Sequence, residues 1–95
     1  DYVYTEGFKK LLDGKNHAVV GFVGRQTDMA PEFGTAMREK RVFSTVQCII
    51  GSEDDIKGLF TIDRCKESSQ WAEYEIECAV IAASLISIIA ETERR

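Results

Sequence analysis

Features that mark several common protein classes are scarce in this chain of 95 residues. It has one proline, one histidine and three cysteines, and a net charge of −4 from 16 acidic and 12 basic residues. No stretch rich in proline, glycine or serine divides the chain, so the sequence predicts a single domain. The basic residues are scattered and outnumbered, which argues against a nucleic-acid partner because phosphate binding needs a clustered basic surface.

The residues needed for metal or nucleophile chemistry are few and far apart. Cys48, Cys65 and Cys78 form no Cys-x-x-Cys pair, and His17 has no second histidine near it. Neither a zinc site nor a Cys–His nucleophile is therefore predicted, and we expect no cofactor. Cys48 and Cys78 lie in apolar runs and should behave as small buried hydrophobes, whereas Cys65 lies in a polar stretch and should be exposed.

Three reduced thiols are typical of a cytoplasmic protein. The first residues show no basic segment followed by an apolar run, so no secretory signal is expected.

A long apolar run is the most informative feature that is present. Residues 78–90 contain only Ser84 and Ser87 as polar residues, and Glu77 and Glu91 stand on either side. The run is too short to span a bilayer, which needs about 20 apolar residues. It is also too apolar for a helix with only one buried side. The sequence therefore predicts a helix that packs on its own domain along one side and on a partner along the other.

Apolar periodicity and turn residues predict the other elements. Helices are expected at residues 6–12, 31–39 and 71–92, with Asp28 before the second and Ser69 as the N-cap of the third. Strands are expected at residues 17–23, 42–50 and 56–63, and residues 2–4 read as the end of another strand.

The last two strands are separated by a five-residue polar turn, residues 51–55, which predicts an antiparallel hairpin. The strand at 42–50 carries apolar residues on both faces, which places it inside the sheet. The fold class is then α+β: a mostly antiparallel sheet with the 31–39 helix on one side and the long C-terminal helix on the other.

The terminal helix carries two apolar stripes. The first should cover the sheet and consists of Ala72, Ile76, Ala79, Val80, Ala83 and Ile86. The second needs another surface and is expected to form a homodimer interface; it consists of Ile81, Leu85, Ile88 and Ile89.

With these elements placed, the stretch from Phe43 to Glu91 resembles the C-terminal half of a GAF domain. It is most similar to the GAF domains that precede GGDEF or EAL modules in bacterial cyclic-di-GMP signalling proteins. The matching positions are a strand that begins near Ser44, the Lys57-Gly-Leu-Phe and Asp63-Arg-Cys segments, Trp71 and the Glu75-Ile pair.

Upstream, LLDGKNHAVVGFV and MAPEFGTAMREKRVFST resemble the preceding helix, strand and crossing helix of the same family. The resemblance runs from about Phe8 to Ala90 and implies a GAF/PAS/profilin-like fold. It also implies that the first helix and first strands of the family are missing here.

The resemblance implies a place for a ligand between the sheet and the crossing helix. The side chains that could line such a pocket are Phe22, Phe33, Met37, Phe43 and Gln47. The same side chains could instead close the core, because apolar pocket walls and cores look alike in sequence.

Three function hypotheses follow. The first is a cytoplasmic sensory domain of a bacterial signal-transduction protein, which relays a small-molecule or conformational signal through a dimeric C-terminal helix. The covalently linked output domain would be a diguanylate cyclase or, as second choice, a histidine kinase. The second hypothesis is a ligand-free dimerisation scaffold of profilin or roadblock type. The third is an enzyme that uses Cys65.

Overall fold

The computed structural model describes residues 2–21, 23, 31–66 and 70–93. Along the chain these form α1 (Glu6–Leu12), β1 (His17–Val20), α2 (Pro31–Glu39), β2 (Ser44–Ser52), β3 (Asp55–Arg64) and α3 (Glu73–Glu93). The strands make one antiparallel sheet in the order β1-β2-β3. The predicted α+β class, with an antiparallel sheet and a long C-terminal helix, is confirmed.

The N-terminal segment is helical, and its prediction as the end of a strand was wrong. Tyr2–Tyr4 forms a short 3-10 helix. The Thr5 hydroxyl donates to the carbonyl oxygen of Tyr2 at 2.7 Å and accepts from the Phe8 N–H at 3.2 Å. Thr5 is thereby the N-cap of α1 and closes the turn before it. Asp13, in the left-handed conformation, ends α1 after Leu12 as predicted.

β1 is shorter than predicted and ends at Val20 instead of residue 23. Beyond it, the Val23 N–H still donates to the carbonyl oxygen of Phe43 at 2.9 Å. Phe22, Asp28 and Ser69, which the sequence marked as a pocket residue and two helix starts, lie outside the described residues.

α2 ends in a tight C-terminal motif. Arg41 adopts a left-handed backbone with φ of 59°. Its N–H donates to the carbonyl oxygen of Arg38, and the Val42 N–H donates to that of Met37. This pair of bonds is the Schellman motif, and the apolar contact that often accompanies it is supplied here by buried Met37 and Val42.

The β2–β3 hairpin is longer than predicted. The ladder continues to the Ser52–Asp55 pair, so only Glu53 and Asp54 connect the strands. A register shift between Ile50 and Gly51 admits one extra residue. Gly51 has φ of 103°, and a Cβ there would lie 2.5 Å from the carbonyl oxygen of Asp55, so this position requires glycine.

β2 separates two apolar cores. Six successive residues of this strand, beginning at Ser44, are buried, which confirms its predicted place inside the sheet. Alternate β2 side chains point to opposite faces. On one face Ile49 joins β1, α1 and α2 in a core that contains Phe8, Leu12, Phe33 and Met37. On the other face Val46 and Cys48 pack against Ala79 and Ala83 of α3.

None of the helices in the described part of the chain combines the length and apolar character needed to cross a membrane.

Candidate functional site

α3 presents one side to the sheet and the other to solvent. Ala79 and Ala83 are buried against β2, where their small side chains allow the helix to approach the strand closely. Ile76 and Val80 are half-buried beside them. Ile86, expected in the same stripe, is 37% exposed and so covers the sheet only in part.

The second stripe of α3 lies in solvent. The four residues predicted as a dimer interface are more than half exposed: Ile81 59%, Leu85 56%, Ile88 62% and Ile89 57%. Tyr74, on the same side of the helix, is 70% exposed. Single exposed apolar residues are ordinary, but contiguous apolar patches mark interaction surfaces. That this patch joins two copies of the chain stays a prediction.

Cys78 also lies on the exposed side of α3, so its prediction as a buried hydrophobe was wrong. The apolar run around it misled the prediction, because the run covers both sides of the helix. Cys48 is buried and Cys65 is exposed, as predicted. Burial raises the pKa of the Cys48 thiol.

The start of α3 is tied to the end of β3. Arg64 forms an ion pair with Glu75 Oε2 at 2.6 Å, and its guanidinium lies 3.9 Å from the centre of the Trp71 ring. Glu75 Oε1 also accepts the Ala72 N–H at 2.8 Å. This backbone hydrogen bond, followed by the contact with Arg64, lowers the pKa of the Glu75 carboxyl.

The residues proposed as pocket walls lie together on the α2 side of the sheet. Phe33, Met37 and Gln47 are fully buried, and Phe43 is half-buried. The Gln47 amide nitrogen lies 3.9 Å from Met37 Sδ. This close packing favours the interpretation of these side chains as core, and ligand binding among them stays a prediction.

A chain of hydrogen bonds crosses this core. The Tyr2 hydroxyl donates to Gln47 Oε1 at 2.7 Å, and Gln47 Nε2 donates to Thr45 Oγ1 at 2.8 Å. The Thr45 hydroxyl in turn donates to Asp63 Oδ1 at 2.6 Å. Burial, followed by the charge of Asp63, raises the pKa of Tyr2 to about 12.

Sequence reasoning identified only Gln47 of this polar chain. Thr45 and Asp63 are direct partners in the β2–β3 register, so the hairpin could have paired them. The contact of Tyr2, 45 residues away from Gln47, has no signal in sequence.

Open grooves lie elsewhere on the surface of the described residues, and two of them exceed 500 Å³. One, of about 560 Å³, runs between the hairpin and the end of α3 and includes Lys57, Ser87 and Glu91. The other, of about 630 Å³, lies between Tyr2 and the exposed side of α2. Neither groove is lined by the residues proposed as pocket walls.

His17 begins β1, as predicted, with Nδ1 3.1 Å from Asn16 Oδ1. Partial burial and nearby Lys15 lower its pKa. Within the described ranges, no three His, Cys, Asp or Glu side chains are grouped closely enough to hold a metal ion.

Comparisons of the chain with protein-family models, with curated proteins and with solved structures find no match. The resemblance to the GAF family therefore rests on the sequence pattern alone.

Proposed function

We propose that this chain is a sensory or regulatory GAF-type domain of a bacterial cytoplasmic signalling protein. It relays a small-molecule or conformational signal through α3, paired with α3 of a second copy, into an attached output domain. A diguanylate cyclase is the output that the sequence resemblance favours, and a histidine kinase is the next. The domain itself carries out no catalysis in this proposal.

The exposed apolar side of α3 is the observation that carries the proposal. Its four aliphatic residues, Ile81, Leu85, Ile88 and Ile89, are each more than half exposed. Burying the exposed part of one such side chain contributes about 1 kcal/mol, so two copies together gain on the order of 10 kcal/mol. Association costs about 4–15 kcal/mol. The gain falls inside this range, and we expect a dimer in exchange with monomer.

β2 offers a direct route from the polar core to α3. Thr45 and Gln47 point to the α1–α2 side, while Val46 and Cys48 point to α3. A ligand or strain that shifts β2 on one side therefore moves the surface on which α3 rests. A relay of this kind needs two arrangements of the helix pair that differ by only a few kcal/mol.

The interface can be tested with Leu85→Glu and Ile88→Glu, which place a charge on the exposed side of α3. Both variants should be folded monomers, while the parent chain is a dimer at high concentration. The matched control is Thr35→Glu, which adds the same charge to an exposed position of α2. Light scattering over a range of concentrations gives the mass, and circular dichroism verifies the fold.

Two results would contradict the proposal. One is a parent chain that stays monomeric at high concentration. The other is unfolding of both α3 variants, which would make the exposed stripe part of the core.

The dense packing around Gln47 favours a second candidate, a ligand-free dimerisation scaffold of profilin or roadblock type. Melting with a panel of metabolites that includes cyclic AMP and cyclic GMP separates the two. A ligand at a hundredfold excess over its dissociation constant stabilises a sensor by about 2.7 kcal/mol. A scaffold shows no shift with any member of the panel.

A further inference from the structure

Exposed residues recur at a regular spacing along α3, and this row extends beyond the four predicted interface residues. Exposed residues follow one another at alternating intervals of four and three along the whole helix. We call this row the α3 seam; it consists of Tyr74, Cys78, Ile81, Leu85, Ile88 and Thr92. An alternation of three and four is the heptad pattern with which helices pack side by side in a coiled coil.

The seam lies on the opposite side of α3 from the sheet. Ala79 and Ala83, which contact β2, lie about half a turn around the helix from Ile81 and Ile88. A helix as long as α3 can therefore pack along the seam without displacing the sheet. The occupant must itself carry a heptad row of matching length, and a second α3 satisfies that requirement.

We infer that a second copy of this chain docks on the α3 seam in parallel and in register, so that each seam residue meets its own equivalent. The inference rests on the proposed function, because it specifies the geometry of that dimer. Ile81, Leu85 and Ile88 form three aliphatic layers at the centre of the pair. The layer of Cys78 lies before them and that of Thr92 after them. Ile89, the fourth predicted interface residue, is next to Ile88 in sequence and lies at the edge of the pair, outside the seam itself.

Charge next to the seam selects the parallel orientation. Glu77 and Glu91 lie on the same flank of the seam, fourteen residues apart. In an antiparallel pair centred on the aliphatic layers, Glu77 of each copy would face Glu91 of the other, and like charges would meet twice. In a parallel pair Glu77 lies beside Ala82 of the second copy, and this repulsion is absent.

The same flank limits the assembly to two helices. Leu85 occupies one kind of seam position and Ile81 and Ile88 the other, a combination that favours larger bundles in isolated helices. A larger bundle, however, would draw the polar flank formed by Glu77, Ser84 and Glu91 into its interior. The polar flank therefore favours a pair.

Cys78 provides a direct test of the register. In a parallel pair its thiol faces the same thiol of the second copy, within the Cα separation of about 4–7 Å that a disulfide needs. Diamide accepts two electrons and two protons from the two thiols, and one S–S bond forms. In the antiparallel pair the two Cys78 residues lie too far apart along the axis to react.

We expect diamide to convert most of the parent chain and of Cys65→Ser to a covalent dimer, seen on a non-reducing gel. Cys78→Ser should reduce that yield at least tenfold. In a chain with both Cys65→Ser and Cys78→Ser, Thr92→Cys should restore the cross-link, because Thr92 lies two heptads after Cys78 at a seam position of the same kind. The neighbouring Glu93→Cys, exposed but outside the seam, should not restore it.

The two proposals can fail separately. A dimer by light scattering that cross-links through neither Cys78 nor Thr92→Cys keeps the proposed interface and overturns the parallel register. A covalent species of the right size whose non-covalent mass is that of four copies overturns the pair. A parent chain that is monomeric and does not cross-link overturns both.

Discussion

Arg64 and Glu75 join the last strand to the long helix through an ion pair of 2.6 Å. Arg64 is the final residue of β3, and Glu75 lies in the first turn of α3. The acid also accepts the Ala72 N–H, so a single carboxylate satisfies one of the free N–H groups at the helix start and holds the strand beside it. The direction in which α3 leaves the sheet is set partly by this contact.

The pH dependence of stability should report this carboxylate. The pKa of Glu75 is lowered from its ordinary value of 4.5, so its contribution to folding is present above that pH and is lost as pH falls below it. Glu75→Gln should therefore be less stable than the parent at neutral pH and should lose less stability on acidification. Urea unfolding at pH 7 and at pH 3.5 measures both effects.

Glu73→Gln is the matched control, because Glu73 is exposed in the same turn of α3. Its acid dependence should follow that of the parent. Equal acid dependence in the parent and in Glu75→Gln would show that the charge of Glu75 contributes nothing to folding through either the Ala72 N–H or Arg64.

The hydrogen-bonded chain through Gln47 predicts non-additive substitutions. Gln47→Leu leaves the Tyr2 and Thr45 hydroxyls without the amide that they contact, and an unsatisfied buried group costs about 1–3 kcal/mol. Adding Tyr2→Phe to Gln47→Leu should cost less than it does in the parent, because its hydroxyl has already lost its acceptor. A double-mutant cycle by urea unfolding measures the difference. Additive losses would show that the two side chains act independently.

The bulge in the hairpin predicts a strong requirement for glycine at one position. Gly51→Ala places a Cβ against the carbonyl oxygen of Asp55 and forces a strained backbone, at a cost of about 1–3 kcal/mol. Thermal unfolding should show the loss. Gly21→Ala is the control, since no atom lies within 4 Å of a Cβ there, and its midpoint should change little. Equal midpoints for the two variants would contradict the bulge geometry.

The end of α2 offers a stabilising change. Arg41 holds a left-handed conformation that glycine adopts without strain, so Arg41→Gly should raise the free energy of unfolding by about 0.5–1 kcal/mol. Lys40→Gly, at the preceding exposed residue, should give no gain. Urea unfolding of the two variants tests whether the left-handed backbone of Arg41 is strained. The prediction is wrong if Arg41→Gly is less stable than Lys40→Gly.

Local sequence signals predicted most of the elements. The predicted bounds of α1 and α2 agree with the structure, since Asp13 and Pro31 are strong local signals. The exposed stripe of α3 was also predicted, because helical periodicity separates its two sides. All of its residues lie on one helix, so predicting it needs no knowledge of contacts between distant elements.

The parts that sequence could not predict depend on distant contacts. Tyr2 is placed by Phe8, Phe33 and Gln47, and no neighbour in sequence indicates a helical turn there. Gly51 read as the beginning of a loop, whereas cross-strand pairing extends past it through a bulge. The exposure of Cys78 depends on the rotation of α3 about its axis, which is fixed by the alanines packed on β2.

The division into two cores by β2 gives α3 some independence from the rest of the molecule. Undocking of α3 uncovers Val46 and Cys48 but leaves the aromatic contacts on the other face undisturbed. The molecule can therefore open on one side while the other stays folded. The Cys48 thiol is covered by α3 while the helix is docked. The rate at which a thiol reagent alkylates Cys48 therefore measures how often α3 undocks.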